Sequence, residues 1–380
     1  MRVLFSCNPL EGHFRPLVPL AHALAARGHD IAFASAAAWE PRAEEEGFPL
    51  LAAGLSEDEG RARFAPYREE IFQLPGEIRR PHQFSTLFGM IHAPAKLPEV
   101  LGVARSWRAD AIVHDSCDLA APIAFASLGL PSVNHSFGAM IPFAALEAAR
   151  EYVDPLWRGE GLEPDRYAGA FRGLFVDLAP PSFVWERPNG KVVRLRPVPD
   201  TAEAPPAWLD ELEQPLVYVT MGTVYNQPEL FRPLLDGLDG HGSALVTVGR
   251  SVEPDELGPL PPRVRVERFV PQAHILPRAK AVVSHGGSGT TLGALAHGLP
   301  LVLVPQAADQ FDNAARAEEA GAAVVLRPGE VTAESVRAAL ARVLEEPAFA
   351  EAARVIAAEI QEMATVDEAA TAVEDHVARG

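Results

Sequence analysis

Two groups of residues in this 380-residue chain could do chemistry. The first joins Gly12-His13, in the loop Asn8 to Phe14 after the apolar run Val3-Leu4-Phe5, to Asp115, at the end of a second apolar run from Asp110 to Val113. An imidazole with an ordinary pKa of ~6.5 suits proton abstraction near neutrality. A carboxylate on its other ring nitrogen would fix the tautomer and stabilise the imidazolium as it forms. A lone loop histidine is usually just solvated, and His114 and Asp118 compete with Asp115 for the partner's role. The second group is Ser284-His285-Gly286-Gly287-Ser288-Gly289-Thr290-Thr291, between the apolar run Ala281-Val282-Val283 and Leu292 to Ala296. Strand, glycine loop and helix in that order make an anion site. Free N–H groups at a helix N-terminus point at what precedes it, the dipole favours negative charge, and glycines allow a phosphate close to the backbone. A tight turn that needs glycine for positive φ explains such a loop as well.

Composition narrows the classes. Hydrophobic residues make up 48% of the chain, yet the longest apolar runs, such as Leu299 to Val304, stop short of the ~20 residues that span a bilayer. We expect a soluble, cytoplasmic protein; Met1-Arg2 leads straight into strand-like sequence without a small-residue cleavage site. The two cysteines, Cys7 and Cys117, read as buried free thiols of a reducing compartment, and without a Cys/His cluster no zinc site is expected. A net charge of −18 repels nucleic acid and anionic membranes, so a phosphate-bearing ligand must be held by local dipoles and a few donors.

The elements that must position these residues alternate. Val3 to Phe5, His29 to Ser35, Phe48 to Ala52, Asp110 to Val113 and Ser132 to His135 read as strands, with helices at Pro16 to Ala26, Pro41 to Glu46 and Leu119 to Ser127. Such alternation means a parallel sheet covered on both faces, with ligands at the carboxyl ends of the strands. From Ser56 to Leu101 the pattern loosens into charged helical sequence carrying Phe64, Tyr67, Phe72, Phe84, Phe88 and Met90, which either pin an excursion to the domain or wall an acceptor pocket; Phe137, Met140 and Phe143 face the same region. The proline-rich, acidic stretch Arg196 to Pro215 reads as a linker. Beyond it Leu216 to Thr220, Ala244 to Val248, Val264 to Phe269, Ala281 to Val283, Leu301 to Val304 and Ala323 to Leu326 supply a second set of strands, with a helix from about Pro228 to Leu238. The fold class is therefore α/β, with two Rossmann-like doubly wound domains. Their limits are 1–200, a linker 201–215, 216–362, and a last helix 363–380.

The ordered set Pro271-Gln272, His285-Gly286-Gly287, Gly298-Leu299-Pro300, Pro305, Asp309-Gln310 and Asn313 resembles the donor-binding signature of nucleotide-sugar-dependent glycosyltransferases. That family includes plant small-molecule glucosyltransferases and bacterial antibiotic glycosyltransferases, and the chain is identified as a member of the bacterial branch. The resemblance implies a GT-B fold whose domains face a cleft, acceptor in the first half and nucleotide sugar in the second, with the last helix crossing back to the N-terminal domain. It implies an inverting displacement with His13 as base and Asp115 as its partner. Around the donor it implies Gly12, Thr223, Phe269, Val270, Gln272, His285, Gly287, Ser288, Gly289, Thr290, Asp309 and Gln310. His285 and Thr223 would contact the diphosphate, and Asp309 and Gln310 the sugar hydroxyls, unless Asp309 merely caps the helix that follows. No cofactor and no metal are expected, since the loop donors would stabilise the departing diphosphate and no Asp-x-Asp motif occurs.

Two positions depart from the plant pattern. Phe269 stands where a tryptophan stacks on uracil, and Gly293 where uridine-using relatives place a glutamate on the ribose hydroxyls. The second change fits a dTDP-sugar and still admits UDP. The expected partners are a nucleotide sugar and a hydrophobic hydroxyl compound such as a polyketide, macrolide or phenol, with no nucleic acid, no membrane insertion, and a homodimer allowed. The competing readings are a nucleotide-sugar epimerase of the same architecture, against which the His13 and Asp115 pair argues, and a non-catalytic helper protein, against which intact His13, Asp115 and His285 argue.

Overall fold

Among the described residues thirteen strands make up the two sheets. They are β1 (Arg2–Ser6), β2 (Asp30–Ser35), β3 (Leu50–Ala52), β4 (Ala111–Asp115), β5 (Ser132–His135), β6 (Leu174–Asp177), β7 (Lys191–Arg194), β8 (Leu216–Thr220), β9 (Ser243–Thr247), β10 (Val264–Glu267), β11 (Ala279–Ser284), β12 (Leu301–Leu303) and β13 (Ala323–Val325). The structure, a computed structural model, describes residues 1–199, 204–222, 228–249 and 252–379.

The first sheet runs β3-β2-β1-β4-β5-β6-β7 and the second β10-β9-β8-β11-β12-β13. Every pairing is parallel. In both, the order reverses beside the first strand of the set, between β1 and β4 and again between β8 and β11. Side chains cannot fill the crevice at such a reversal, and doubly wound proteins bind ligands there.

Burial follows from helices on both faces. All five residues of β4 and of β8 are buried. Side chains alternate between faces: Leu4, Ala32 and Ile112 pack against Val100, Ile123 and Trp157, while Val3, Phe5 and Phe33 pack against Leu20 and Leu24. In the second sheet Tyr218, Val282 and Leu301 meet Leu295 and Ile356, and Val217, Val219 and Val283 meet Phe231 and Leu340.

The chain divides into two compact units. One comprises Met1–Leu178, Trp185–Leu195 and the segment from Ala364; the other comprises Ala179–Val184 and 196–363. In the first, the helix Val366–Arg379 lays Ala369, Ala370 and Val373 on the core that holds Leu20 and Leu24, and its Glu374 binds Arg27 at 2.8 Å and His29 at 2.7 Å. In the second, the turn Ala207–Glu211, within the stretch read as linker, buries Leu209 in the core.

Near the site the structure departs from the sequence reading in one place and bears it out in another. Residues 11–14, expected in a loop, form one helical turn, Glu11–Phe14, because the Leu10 carbonyl accepts the N–H groups of both His13 and Phe14. The excursion 56–101 is helical almost throughout. Glu57–Gln73 starts on a Ser56/Glu59 capping box, and Gly76–Phe84 continues into a π-helical segment, Ser85–His92, and then Ala93–Trp107. Tyr67 and Phe72 on it are exposed, while Phe64 is buried.

Candidate active site and donor site

The helical turn after β1 sets the His13 ring at the end of β4. Its Nδ1 lies 3.0 Å from Oδ1 of Asp115. Asp115 is fully buried, and its two oxygens are aimed by main-chain donors: Oδ1 accepts the Cys117 N–H at 2.6 Å and Oδ2 the Asn8 N–H at 2.8 Å. With Nδ1–H donating to the carboxylate, the pattern assigns the lone pair to Nε2, the tautomer a general base needs. The ring centroid lies 4.6 Å from that of Phe137 and 5.7 Å from that of Phe88, which flank it with apolar surface.

The rivals to Asp115 are occupied elsewhere. Asp118 Oδ2 takes the Lys96 ammonium at 2.7 Å and the Ser6 hydroxyl at 2.6 Å, and Oδ1 accepts the Ala120 and Ala121 amides ahead of the helix Ala121–Leu128. Burial alone would raise its pKa, but the Lys96 charge and its hydrogen bond outweigh burial and hold the carboxyl below its usual range. His114 donates from Nδ1 to the Asp115 carbonyl at 3.0 Å, and complete burial pushes its pKa down. Cys7 and Cys117 are buried and form no disulfide, Cys7 pushed up to about 12 by burial. Among the described residues one trio, His13, Asp115 and Cys117, brings three ligand-type atoms within 4.8 Å of one another. It is the dyad plus one thiol, brought together across a sequence separation that spacing rules cannot see.

In the second unit β11 ends at Ser284 and the chain turns at Gly286, φ +84°, into the helix Ser288–Ala296. Gly287, its N-cap, carries no side-chain cap; Thr291 is the first amide to reach back, to the Gly287 carbonyl. The amides of Ser288, Gly289 and Thr290 therefore remain for a ligand at the positive end of the helix. His285 stands between two backbones. A β-carbon on Gly222 would come 2.6 Å from its Cε1 and one on Gly287 2.4 Å from its Nε2. Burial is the largest cause of its lowered pKa, opposed by Asp309 and the Thr220 carbonyl, and its Nδ1 is buried without a hydrogen-bond partner. The ring nitrogen nearest the Gly287 position is Nε2, so it is Nε2 that faces the glycine loop.

The similarity to known proteins covers this whole arrangement. Residues 240–375 match the model for the C-terminal domain of erythromycin biosynthesis protein CIII-like proteins. The chain is 33% identical to the elloramycin glycosyltransferase ElmGT of Streptomyces olivaceus, over 96% of this chain and 94% of that one. It is 33% identical to the L-demethylnoviosyl transferase of Streptomyces niveus, over 86% and 85%. The chain belongs to the family of bacterial antibiotic glycosyltransferases. Solved structures agree: the glycosyltransferase VinC, in complex with dTDP, has a TM-score of 0.81 and 25% identity with all of both chains covered. The spinosyn rhamnosyltransferase SpnG has a TM-score of 0.81 and 27% identity over 99% of this chain and 100% of that one. Two parallel sheets flanked by helices are the GT-B architecture.

Within this glycosyltransferase the expected donor residues do not all offer their side chains. Ser288 Oγ donates to Asp309 Oδ2 at 2.7 Å, and Asn313 Nδ2 binds the same oxygen at 3.0 Å and the Gly286 carbonyl at 2.9 Å. Asp309 makes no side-chain cap to the helix Gln310–Glu319; it ties that helix to the glycine loop instead. Gln310 is buried, its Oε1 accepting the amides of Gln306 at 2.8 Å and Ala307 at 3.0 Å, so this oxygen shapes the loop after β12. Gln272 donates to Thr290 Oγ1 at 2.9 Å. Phe269 is 56% exposed and presents its ring to solvent, whereas Val270 is buried in the core, leaving only its main chain for a ligand. Gly12 is exposed, and a β-carbon there would meet nothing within 4 Å. Thr223 lies outside the described residues. Sequence reading missed Asn8 and Cys117, whose amides aim Asp115, and Lys96; a lysine among alanine, leucine and proline at the start of a buried helix was the available signal. Among the described residues no helix is long and apolar enough to cross a membrane.

Proposed function

We propose that the protein transfers a sugar from a nucleotide diphosphate, a dTDP-sugar by preference, to a hydroxyl of a hydrophobic small molecule, in a single inverting displacement that requires no metal ion. The acceptor O–H gives its proton to Nε2 of His13 as its oxygen bonds to the anomeric carbon, and the bond from that carbon to the diphosphate oxygen breaks. Asp115 holds the imidazole and stabilises its charge. The departing diphosphate gathers charge, which the amides of Ser288, Gly289 and Thr290 and the His285 ring are built to receive. One free oxygen of Asp309 and the exposed face of Phe269 serve the sugar and the base. The observation that carries this reading is the His13–Asp115 contact at 3.0 Å, in the crevice where the first sheet reverses order.

Thymidine diphosphate occurs in three of the similar structures, which supports the choice of nucleotide. Relatives are named for elloramycin, tylactone and erythronolide, which supports a hydrophobic acceptor. Phe88 and Phe137 beside the base give apolar contact for such a molecule. The test is an incubation of dTDP-sugars with and without a panel of polyketide and phenolic acceptors. Product that forms only when donor and acceptor are both present, with its anomeric configuration inverted, is expected. A donor altered without acceptor marks an epimerase, and binding without turnover across the panel marks a helper.

A further inference from the structure

Lys96 and Asp118 form an ion pair in the floor beneath the dyad. Both are almost fully buried, and the lysine also donates to the Cys7 carbonyl at 2.7 Å. Its stem packs under Gly54, where a β-carbon would come within 3.2 Å of Cδ. Through Ser6, Cys7 and Asp118 the pair ties the ends of β1 and β4 to the helix Ala93–Trp107, and these are the two strand ends that carry His13 and Asp115. Stability alone is a weak explanation, because well-packed apolar residues commonly replace a buried ion pair without loss.

The charges around His13 give the pair a second consequence. Asp115 touches the ring; Asp118 and Lys96 lie beneath; His92, His114 and His135 and the thiols of Cys7 and Cys117 complete the surroundings. Burial keeps the other three imidazoles uncharged near neutrality. Two carboxylates and one ammonium then leave one net negative charge in this floor, and Lys96 cancels Asp118. We propose that the Lys96–Asp118 pair is a positioning element for the dyad, which fixes the strand ends and leaves Asp115 as the single uncompensated anion that sets the basicity of His13. The inference rests on His13 being the general base.

The experiment is the pH profile of kcat/KM for wild type, Lys96→Met, Asp118→Asn and the double variant, with dTDP affinity as the control for the second unit. Lys96→Met removes the charge and the hydrogen bond that offset the burial of Asp118; where Ser6 and the two amides keep that carboxylate ionised, the imidazolium is favoured and the acid limb moves to higher pH, by about half a unit or more. Asp118→Asn leaves the ammonium alone, disfavours the imidazolium and moves the limb to lower pH. The double variant returns it to near the wild-type position. Lys96→Gln and Asp118→Ser replace any single variant that does not fold. Loss of thermal stability with the limb unmoved, or shifts of the same sign in both single variants, would overturn the proposal and leave a purely structural pair. Undiminished turnover by His13→Ala would instead remove the general-base reading on which it rests.

Discussion

A β-carbon on Gly287 would stand 2.4 Å from Nε2 of His285. No real contact is that short, so the glycine is dictated by a ring of the protein itself before any phosphate arrives. Gly222, on the other side, is held twice over, by its 2.6 Å approach to the same ring and by a φ of +76°. Gly287→Ala must push the imidazole out of place. We expect dTDP affinity to fall about tenfold or more, the worth of one good hydrogen bond to a charged group, with the fold retained. Calorimetric titration that matches wild type would show that His285 does not touch the nucleotide.

His13→Ala should lower turnover by ~10²- to 10⁴-fold, as loss of a general base does, and leave dTDP binding unchanged. Asp115→Asn keeps the shape but offers the ring an amide, so it should also be slow. Steady-state kinetics with saturating donor reads both, and near-normal rates at neutral pH would end the assignment.

Activity should survive chelation. The loop amides and His285 supply the positive field that a divalent ion supplies in other transferases, so initial rates with and without EDTA should agree. Loss in EDTA that a divalent ion restores would contradict this.

Gly293→Glu should move nucleotide preference from dTDP toward UDP, because a carboxylate there can accept the ribose hydroxyls at ~1.5–3 kcal/mol per charged hydrogen bond. The substitution is sterically tight but feasible: a β-carbon at 293 would lie 3.3 Å from Cδ1 of Leu276, the far end of a flexible side chain. The ratio of the two dissociation constants is the measurement. In the wild type dTDP should bind at least as tightly as UDP, and a tenfold preference for UDP would show that other residues read the ribose.

Stability should decline on mild acidification. Burial pushes His92 and His135 down to about 4 from 6.5. The unfolded chain takes up these protons below pH ~6.5 while the folded one resists until about 4, so the contribution is complete above 6.5 and is lost between the two. The slope is up to about 1.4 kcal/mol per pH unit for each histidine. Urea midpoints measured from pH 7 to 4.5 should fall steadily, and a flat profile would show that both rings charge within the native state.

Where local sequence decides structure, the reading was sharp. Ser132 to His135 is a strand to the residue, and Ala281 to Val283 with its glycine loop lies where the apolar run and the turn chemistry put it. The His13–Asp115 contact was legible because two apolar runs of one sheet end at those residues and the motifs around them resemble a known family; residue type alone left a solvated histidine open. What escaped depended on distant contacts. Leu174–Asp177 and Lys191–Arg194 are short strands joined to the sheet by pairing rather than by pattern, and the π-helical turn at Ser85–His92 has no sequence signature. Gln310 looked like a sugar ligand, yet its oxygen is held by two amides of a neighbouring loop, a partnership that only the fold discloses.

The helix Val366–Arg379 completes the unit that begins at Met1. On the ribosome, the first sheet is therefore made early and finished late: the apolar face of Val18–Ala26 waits uncovered while the entire second unit, 196–363, is synthesised. At ~5–20 residues per second that wait lasts on the order of ten seconds or more, during which the apolar surface that Ala369, Ala370 and Val373 cover stays open.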